Sequence, residues 1–228
     1  MNQARALHDA VYANDVTLLR QLISRGYSVN SATEDLVQPL HTACFHGHLE
    51  CVRLLIDNGA EVNARNIDCA TPLCDAASSG HNDCVKLLLK NGANVNPPLL
   101  LTSPLHEAAI MDQWKTVELL TQNGAILNSS DCHFGTPLHA TASQGGIKSA
   151  EMLLRAGASV NAIKSHKTAL HDAASREDCD FISLLLEHGA NPTAKDNSGN
   201  KPSDLVSNQE SPARDLLLHA ESKLGQSN

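Results

Sequence analysis

TPLCDAASSGHNDCVKLLLKNGANVN, residues 71–96, is the stretch of this sequence that decides its fold. Similar strings flank it on both sides: PLHTAC (39–44), SPLHEAA (103–109), TPLHATA (136–142) and TALHDAA (168–174). A leucine recurs in one register at steps of 32 or 33 residues: Leu7, Leu40, Leu73, Leu105, Leu138 and Leu170. Glycines and asparagines recur with it, as in Gly92 and Asn96. A fixed period of this length is typical of a tandem array of small structural repeats.

Each repeat predicts two short antiparallel helices. Thr71 is suited to cap the first helix, and Pro72 fits its first turn, where the missing N–H costs nothing. The second helix has apolar residues at helical spacing, as in Val85, Leu88 and Leu89. Gly92 supplies the left-handed conformation that ends it. The residues that follow predict a projecting hairpin, which we call the finger of each repeat.

Composition excludes several classes of function. The net charge is −8, with 17 basic and 25 acidic residues, and the lysines and arginines form no cluster. Nucleic-acid binding and binding to an anionic membrane are therefore disfavoured. No apolar run is long enough to span a bilayer, and no signal peptide is apparent. Seven cysteines fall within the helical patterns, which favours reduced thiols in the cytoplasm or the nucleus.

The repeated strings resemble the TPLHxAA signature of ankyrin repeats over nearly the whole chain. The resemblance predicts an all-α ankyrin-repeat solenoid with about six helix-turn-helix repeats, hairpin fingers and a partial capping repeat. The expected ankyrin domain is 1–218, followed by a frayed tail at 219–228. The expected repeats are 1–32, 33–65, 66–97, 98–130, 131–162 and 163–195, with a cap at 196–218.

We find no sequence signature of a catalytic, cofactor or metal site, so we expect neither an enzyme nor a cofactor. Five histidines share one repeat position, where the ankyrin resemblance implies hydrogen bonds that link the repeats and fingers. They are His8, His41, His106, His139 and His171. Cys74 replaces histidine in the third repeat, which is expected to loosen one finger. The cysteines follow repeat positions rather than zinc spacing, so we expect no metal.

The resemblance also implies where a partner protein binds. Ankyrin repeats hold their partners on the concave face, with the finger tips and the exposed ends of the first helices. Apolar or aromatic side chains at these positions are candidate anchors. The candidate partner-binding residues are Tyr12, Val37, Phe45, His46, Ile67, Leu99, Leu100, Ile110, Met111 and His133. Packing of some of them against neighbouring fingers is the alternative.

Asn63 is a candidate modification site. Leu55, Glu61, Val62 and Asn63 resemble the pattern favoured by the asparaginyl hydroxylase that modifies ankyrin repeats. An ordinary structural asparagine is the alternative.

Several segments are similar to the ankyrin repeat and SOCS box family: NARNIDCATPLCDAASSG (63–80), VKLLLKNGANVNPPL (85–99), SPLHEA (103–108), DCHFGTPLHA (131–140) and KPSD (201–204). The resemblance implies a substrate-recognition adaptor of a cullin-type ubiquitin ligase. A SOCS box would bind elongins B and C and the cullin, but the residues after Leu216 do not match one. Elongin and cullin are therefore expected as partners only if the full-length product has the box. A monomeric stand-alone ankyrin scaffold, or a stoichiometric inhibitor of a signalling protein, is the alternative.

Overall fold

The structure of this protein is a computed structural model that describes residues 3–98, 103–131 and 133–226. These residues form α-helices and one short 3-10 helix, and no strand occurs among them beyond an isolated bridge between Lys164 and Lys167. The predicted all-α class is confirmed.

The helices follow one another in pairs along the chain. They are α1 Gln3–Tyr12, α2 Val16–Ser24, α3 Pro39–His46, α4 Leu49–Asp57, α5 Pro72–Ser78, α6 Asn82–Lys90, α7 Pro104–Ile110, α8 Trp114–Gln122, α9 Pro137–Gln144, α10 Ile147–Arg155, α11 Ala169–Ser175, α12 Cys179–Glu187, a 3-10 helix at Pro202–Leu205, and α13 Pro212–Gln226. None of the described helices is long and apolar enough to cross a membrane.

The chain divides into two compact units. Unit 1 contains residues 1–108 and 122–125, and unit 2 contains residues 109–121 and 126–228. Within unit 1, α3 packs against α1 and α5, so first helices of successive repeats lie side by side. Within unit 2, α11 packs against α9 and the 3-10 helix. Alanines such as Ala76 and Ala173 are fully buried and permit this close approach.

The cores of both units are made of the residues that recur with the repeat period. Leu40, Leu73, Leu138 and Leu170 are buried, at most 1% exposed. Thr71 caps α5 by accepting a hydrogen bond from the Cys74 N–H, and Pro72 occupies its first turn. From α3 onward, the repeated leucine therefore lies one residue after the start of the first helix of its repeat, whereas Leu7 lies further inside α1.

Histidines at the repeated position join their repeats to the next finger, as predicted, in the case of His41, His139 and His171. His41 Nε2 lies 3.2 Å from the Ala70 carbonyl, and His139 Nε2 lies 3.2 Å from that of Lys167. The Nδ1 atom of His41 accepts from the Gln38 N–H, so Nε2 is the protonated nitrogen. Burial lowers the pKa of His41 and His139, which keeps both rings neutral.

The repeated asparagines join the loops after successive second helices. The Asn63 side-chain amide donates to the Gly92 carbonyl at 3.0 Å, and its oxygen accepts from the Asn94 N–H at 2.8 Å. Asn161 makes the same two bonds, to Gly189 and Asn191. Asn63 thus has the same structural role as the other repeat asparagines, and its side chain remains exposed.

The C-terminal end differs from the frayed tail expected at 219–228, because α13 continues to Gln226. Two contacts to the 3-10 helix region hold the helix in place. Glu221 pairs with Lys201 at 2.6 Å and accepts a hydrogen bond from the Ser203 hydroxyl. Both partners lie about 20 residues earlier in the sequence, so repeat periodicity could not reveal the extension.

Candidate partner-binding surface

An aromatic cluster lies at the C-terminal ends of α1 and α3 in unit 1. Tyr12 ends α1 and is 68% exposed, and Phe45, near the end of α3, is 54% exposed. The ring of His46 lies between them, with edge-to-face contacts of 5.0 Å to Tyr12 and 5.2 Å to Phe45. His48 stacks on His46 at 5.6 Å. The predicted residues Tyr12, Phe45 and His46 therefore form one continuous surface.

The backbone under Phe45 is tied to the next repeat. His81 Nε2 donates to the Phe45 carbonyl at 3.1 Å and satisfies a helix-end acceptor that α3 leaves unpaired. Gly47 has a φ of 70° and lies directly against the His81 ring, so that a Cβ there would be 2.4 Å from Nδ1. A glycine is required at this position both for the left-handed backbone and for the close approach of the ring.

The fingers of unit 1 extend this surface. The N–H of Ile67 donates to the Asp35 carbonyl at 2.9 Å, which joins two adjacent fingers. Ile67 is exposed and Val37 is half-buried. Leu36, which the sequence reasoning missed, is exposed and has a φ of 58°. A leucine in the left-handed region is costly and persists where the surroundings or the function require it.

A pocket of about 190 Å³ opens between the finger and the first helices of unit 1. The residues that line it are Val37, His41, Thr42, Phe45, His46, Asn66 and Asp75. Burial raises the pKa of the Asp75 carboxyl to about 7, and the negative charge of Glu107 adds to the shift. The acid thus changes charge near neutral pH, at the base of a pocket that Phe45 borders.

A second pocket, of about 310 Å³, occupies the corresponding repeat position in unit 2. It is lined by His133, Phe134, Ser143, Gln144, Lys164, Ser165, Lys167 and Asp172. Burial raises the pKa of Asp172, but interaction with His139 and the positive charges of Lys167 and Lys164 oppose the shift. Ser143 stands at the repeat position of Phe45, so the aromatic wall that Phe45 gives the first pocket is replaced by a hydroxyl side chain here.

The remaining candidates in unit 2 are more scattered. Met111 is 56% exposed, Ile110 is half-buried at the end of α7, and His133 is exposed. Ile163, on a finger, is also exposed, and sequence reasoning missed it. The two other candidates, Leu99 and Leu100, lie outside the described residues, as do residues 99–102 of the finger that Cys74 was expected to loosen.

Four cysteines lie in the core of unit 1 and are held as thiols. Cys44, Cys51, Cys74 and Cys84 are buried. Burial raises the pKa of Cys51, Cys74 and Cys84 to about 11, so these thiols stay protonated and are poor nucleophiles at neutral pH. Within residues 3–98, 103–131 and 133–226, no group of three His, Cys, Asp or Glu side chains is arranged to hold a metal ion.

Comparison with known proteins gives consistent matches. The family model described as ankyrin repeats (3 copies) matches residues 7–98, 66–131 and 105–196. The chain resembles the human ankyrin repeat and SOCS box protein 13, with 61% identity over 88 residues, which is 39% of this chain and 32% of that protein. It resembles the mouse ankyrin repeat and SOCS box protein 9, with 55% identity over 215 residues, which is 94% of this chain and 74% of that protein.

Two further matches concern protein 11 of the same series. The zebrafish ankyrin repeat and SOCS box protein 11 is 50% identical over 203 residues, 89% of this chain and 69% of that protein. The crystal structure of the human ASB11 ankyrin repeat domain matches with a TM-score of 0.89 and 34% identity, covering 94% of this chain and 96% of that chain.

Proposed function

Because this chain belongs to the ankyrin repeat and SOCS box family, we propose that it is a substrate-recognition domain that uses the surface around Phe45 to hold another protein. A protein-interaction role is what ankyrin repeats supply. The specific proposal is a place in a cullin-type ubiquitin ligase adaptor, where the ankyrin domain would hold the protein to be ubiquitinated.

The observation that supports this proposal is the exposed apolar surface of unit 1. Tyr12, Leu36, Phe45 and Ile67 are all large, apolar and exposed, on neighbouring helix ends and fingers. Contiguous exposed apolar surface marks protein interfaces, and aromatic side chains at its centre are typical binding hot spots. We call these four residues, together with His46, the recognition surface.

Binding at this surface would be rigid recognition. His81 fixes the carbonyl of Phe45, and the bond between Ile67 and Asp35 fixes two fingers to each other. A preformed surface loses little conformational entropy on association, so more of the contact energy contributes to affinity. A specific complex is expected to bury roughly 800 Å² on each partner.

The recognition surface can be tested by affinity capture from cell lysate with quantitative mass spectrometry. The variant Phe45→Asp places a charge at the centre of this surface. Ile126→Asp is the matched control, because Ile126 is 56% exposed and Phe45 is 54% exposed, but Ile126 lies in the loop after a second helix. We expect a protein that the parent and Ile126→Asp capture and Phe45→Asp loses. Equal capture by all three chains would refute the proposed surface.

The ligase role has a separate test. The complete gene product is co-expressed with elongins B and C and purified through the ankyrin domain. Co-purification of both elongins supports the adaptor role. If the complete product does not bind elongins, the domain acts as a stand-alone scaffold or a stoichiometric inhibitor instead.

The proposed hydroxylation of Asn63 is tested by intact-mass and peptide analysis of the protein expressed in mammalian cells. We expect the mass of one added oxygen atom on the peptide that contains Asn63 and none on that of Asn161, which makes the same two hydrogen bonds. An unmodified Asn63 peptide would remove the proposal.

A further inference from the structure

We infer that the pocket of unit 1 receives a basic side chain, lysine or arginine, of the bound protein, with the Asp75 carboxylate as its counter-ion and Phe45 against its stem. This inference rests on the proposed function, since it assigns chemistry to one subsite of the recognition surface.

The shape and lining of the pocket suit such a side chain. Val37 and Phe45 supply apolar walls, and Asp75 is the acidic group among the lining residues. The pocket, of about 190 Å³, has no lysine or arginine in its described lining. Long basic side chains bury their methylene stems on apolar surface while the charged head reaches a polar group. A cation near an aromatic ring gains a further attraction.

Asp75 lacks a partner of its own. No hydrogen bond or ion pair joins its carboxylate to another group among the described residues, although its backbone N–H and carbonyl are both engaged in α5. The neighbouring oxygen of Asn66 is already used, because it accepts from the N–H groups of Asp68 and Ala70. A half-buried carboxylate without a cation is costly, and that cost is recovered when a bound cation pairs with it.

The pocket of unit 2 shows what a completed version looks like. Asp172 occupies the repeat position of Asp75, and there a single finger supplies both Lys164 and Lys167 to the pocket. Lys164 occupies the repeat position of Asn66, and its Nζ lies 6.0 Å from the Phe134 ring centroid. The chain therefore places its own cations in the lining of the second pocket. In the first pocket, the bound protein would supply the cation.

The charge of Asp75 makes this binding dependent on pH. The groups around it are Glu107 of α7, whose negative charge favours the protonated acid, Cys44 of α3, and Cys74 of α5. Two histidines, His41 and His46, line the same pocket, and burial keeps His41 neutral. A basic ligand is therefore expected to bind more tightly at pH 8 than at pH 6, because it pairs with the ionised form of Asp75.

The inference is tested with N-acetyl-arginine methylamide as the probe, followed by NMR chemical shifts of the full chain. N-acetyl-citrulline methylamide, which has nearly the same shape without the charge, is the matched ligand control. Asp75→Asn removes the charge and keeps the side-chain shape. Asp172→Asn is the matched protein control at the corresponding position of unit 2.

We expect saturable shifts at Val37, Phe45 and Asp75 with the arginine compound, and at least tenfold weaker binding of the citrulline compound. Asp75→Asn should abolish that difference, and Asp172→Asn should preserve it. Equal binding of the two compounds, shifts unaffected by Asp75→Asn, or no saturable shift up to the solubility limit would each overturn the inference.

The outcome is separable from that of the proposed function. If the arginine compound fails but lysate capture still depends on Phe45, then the basic subsite is wrong and the recognition surface stands. If neither depends on these residues, then the proposed surface itself is wrong.

Discussion

The two pockets lie at the same repeat position and differ in what surrounds the acid. In unit 1, Asp75 faces a pocket bordered by Phe45 and Val37, whereas in unit 2 Asp172 faces Lys164 and Lys167. The scaffold around them is the same: a buried leucine, a histidine bonded to a finger carbonyl, and an alanine pair. The comparison shows that a repeat protein can keep the residues that fold it and change those that meet a partner.

The hydrogen bonds that hold the ends of the first helices also differ between the two units. The carbonyl of Phe45 is held by His81, and the corresponding carbonyl of Ser143 is held by Arg176 at 3.1 Å. The imidazole is a rigid ring packed on Gly47, while the guanidinium is the end of a long flexible chain beside Gly145. The aromatic surface of unit 1 therefore lies on the more rigid support.

The largest expected effect comes from removing the charge of Asp75. Asp75→Asn should raise the free energy of unfolding at pH 8 by roughly 2–4 kcal/mol, since one unit of pKa shift is worth about 1.4 kcal/mol. The corresponding gain for Asp172→Asn should be smaller, because Lys164 and Lys167 already stabilise its charge. Urea unfolding of both variants and the parent measures the difference. Equal gains in the free energy of unfolding would contradict the proposed difference between the two pockets.

The pH dependence of this gain has a defined sign. The pKa of Asp75 is about 7 in the folded protein, compared with 3.8 for an ordinary aspartate. Between these values the native state binds more protons than the unfolded chain, so the stability of the parent falls as pH rises. The advantage of Asp75→Asn should therefore be absent near pH 4, grow up to pH 7 and remain constant above it. An advantage that shrinks as pH rises would contradict the assignment.

Substitution of Gly47 or Gly145 by alanine tests how rigidly His81 and Arg176 hold the ends of the first helices. Gly47→Ala should cost roughly 2–3 kcal/mol, because it strains a left-handed backbone and displaces the His81 ring with its hydrogen bond. Gly145→Ala should cost about 1–2 kcal/mol, because the atom that it meets, at 2.7 Å, is the far end of Arg176. Thermal and urea unfolding give both values. A larger loss at Gly145 would reverse the proposed order of rigidity.

The second pocket can be made to resemble the first. In the variant Lys164→Met/Lys167→Met, the pKa of Asp172 should rise, because two of the charges that lower it are removed. The free energy of unfolding at pH 8 should fall by about 0.5–1 kcal/mol. Carbon-13 NMR titration of the carboxyl follows the pKa directly. An unchanged pKa would show that the lysines do not compensate the acid.

The smallest effect concerns the finger tip. Leu36→Asn should leave stability unchanged or raise it by up to about 1 kcal/mol, because asparagine tolerates the left-handed backbone better than leucine. The same variant should weaken capture of the partner from lysate. A variant that is destabilised, or that captures the partner as well as the parent, would show that Leu36 has a packing role instead.

The sequence predicted most of the fold because the repeat period reports directly on packing. Leu73 recurs in register because the first helices bury a leucine against their neighbours, and His41 recurs because a ring at this position hydrogen-bonds to a finger carbonyl. The helix end at Gln226 was missed because its support comes from Lys201 and Ser203, which belong to no repeat.

The candidate site was predicted only in part. Tyr12, Phe45 and Ile67 occupy repeat positions whose side chains are exposed. A large apolar residue at such a position was therefore enough to predict each of them as a binding residue. Leu36 was missed because its exposure depends on a backbone angle that the sequence does not display. The contrast between Asp75 and Asp172 was also missed. Lys164 and Lys167 lie only eight and five residues before Asp172, but the fold is needed to show that they line the same pocket.

Site-specific photo-crosslinking tests the central claim, that unit 1 presents the recognition surface, most directly. Benzoylphenylalanine is introduced in place of Phe45 or, as the matched position in unit 2, in place of Ser143, and each chain is irradiated in lysate. The structure predicts a covalent protein adduct from position 45 that excess parent chain competes away and excess Phe45→Asp does not. Adducts from position 143 with none from position 45 would contradict the claim.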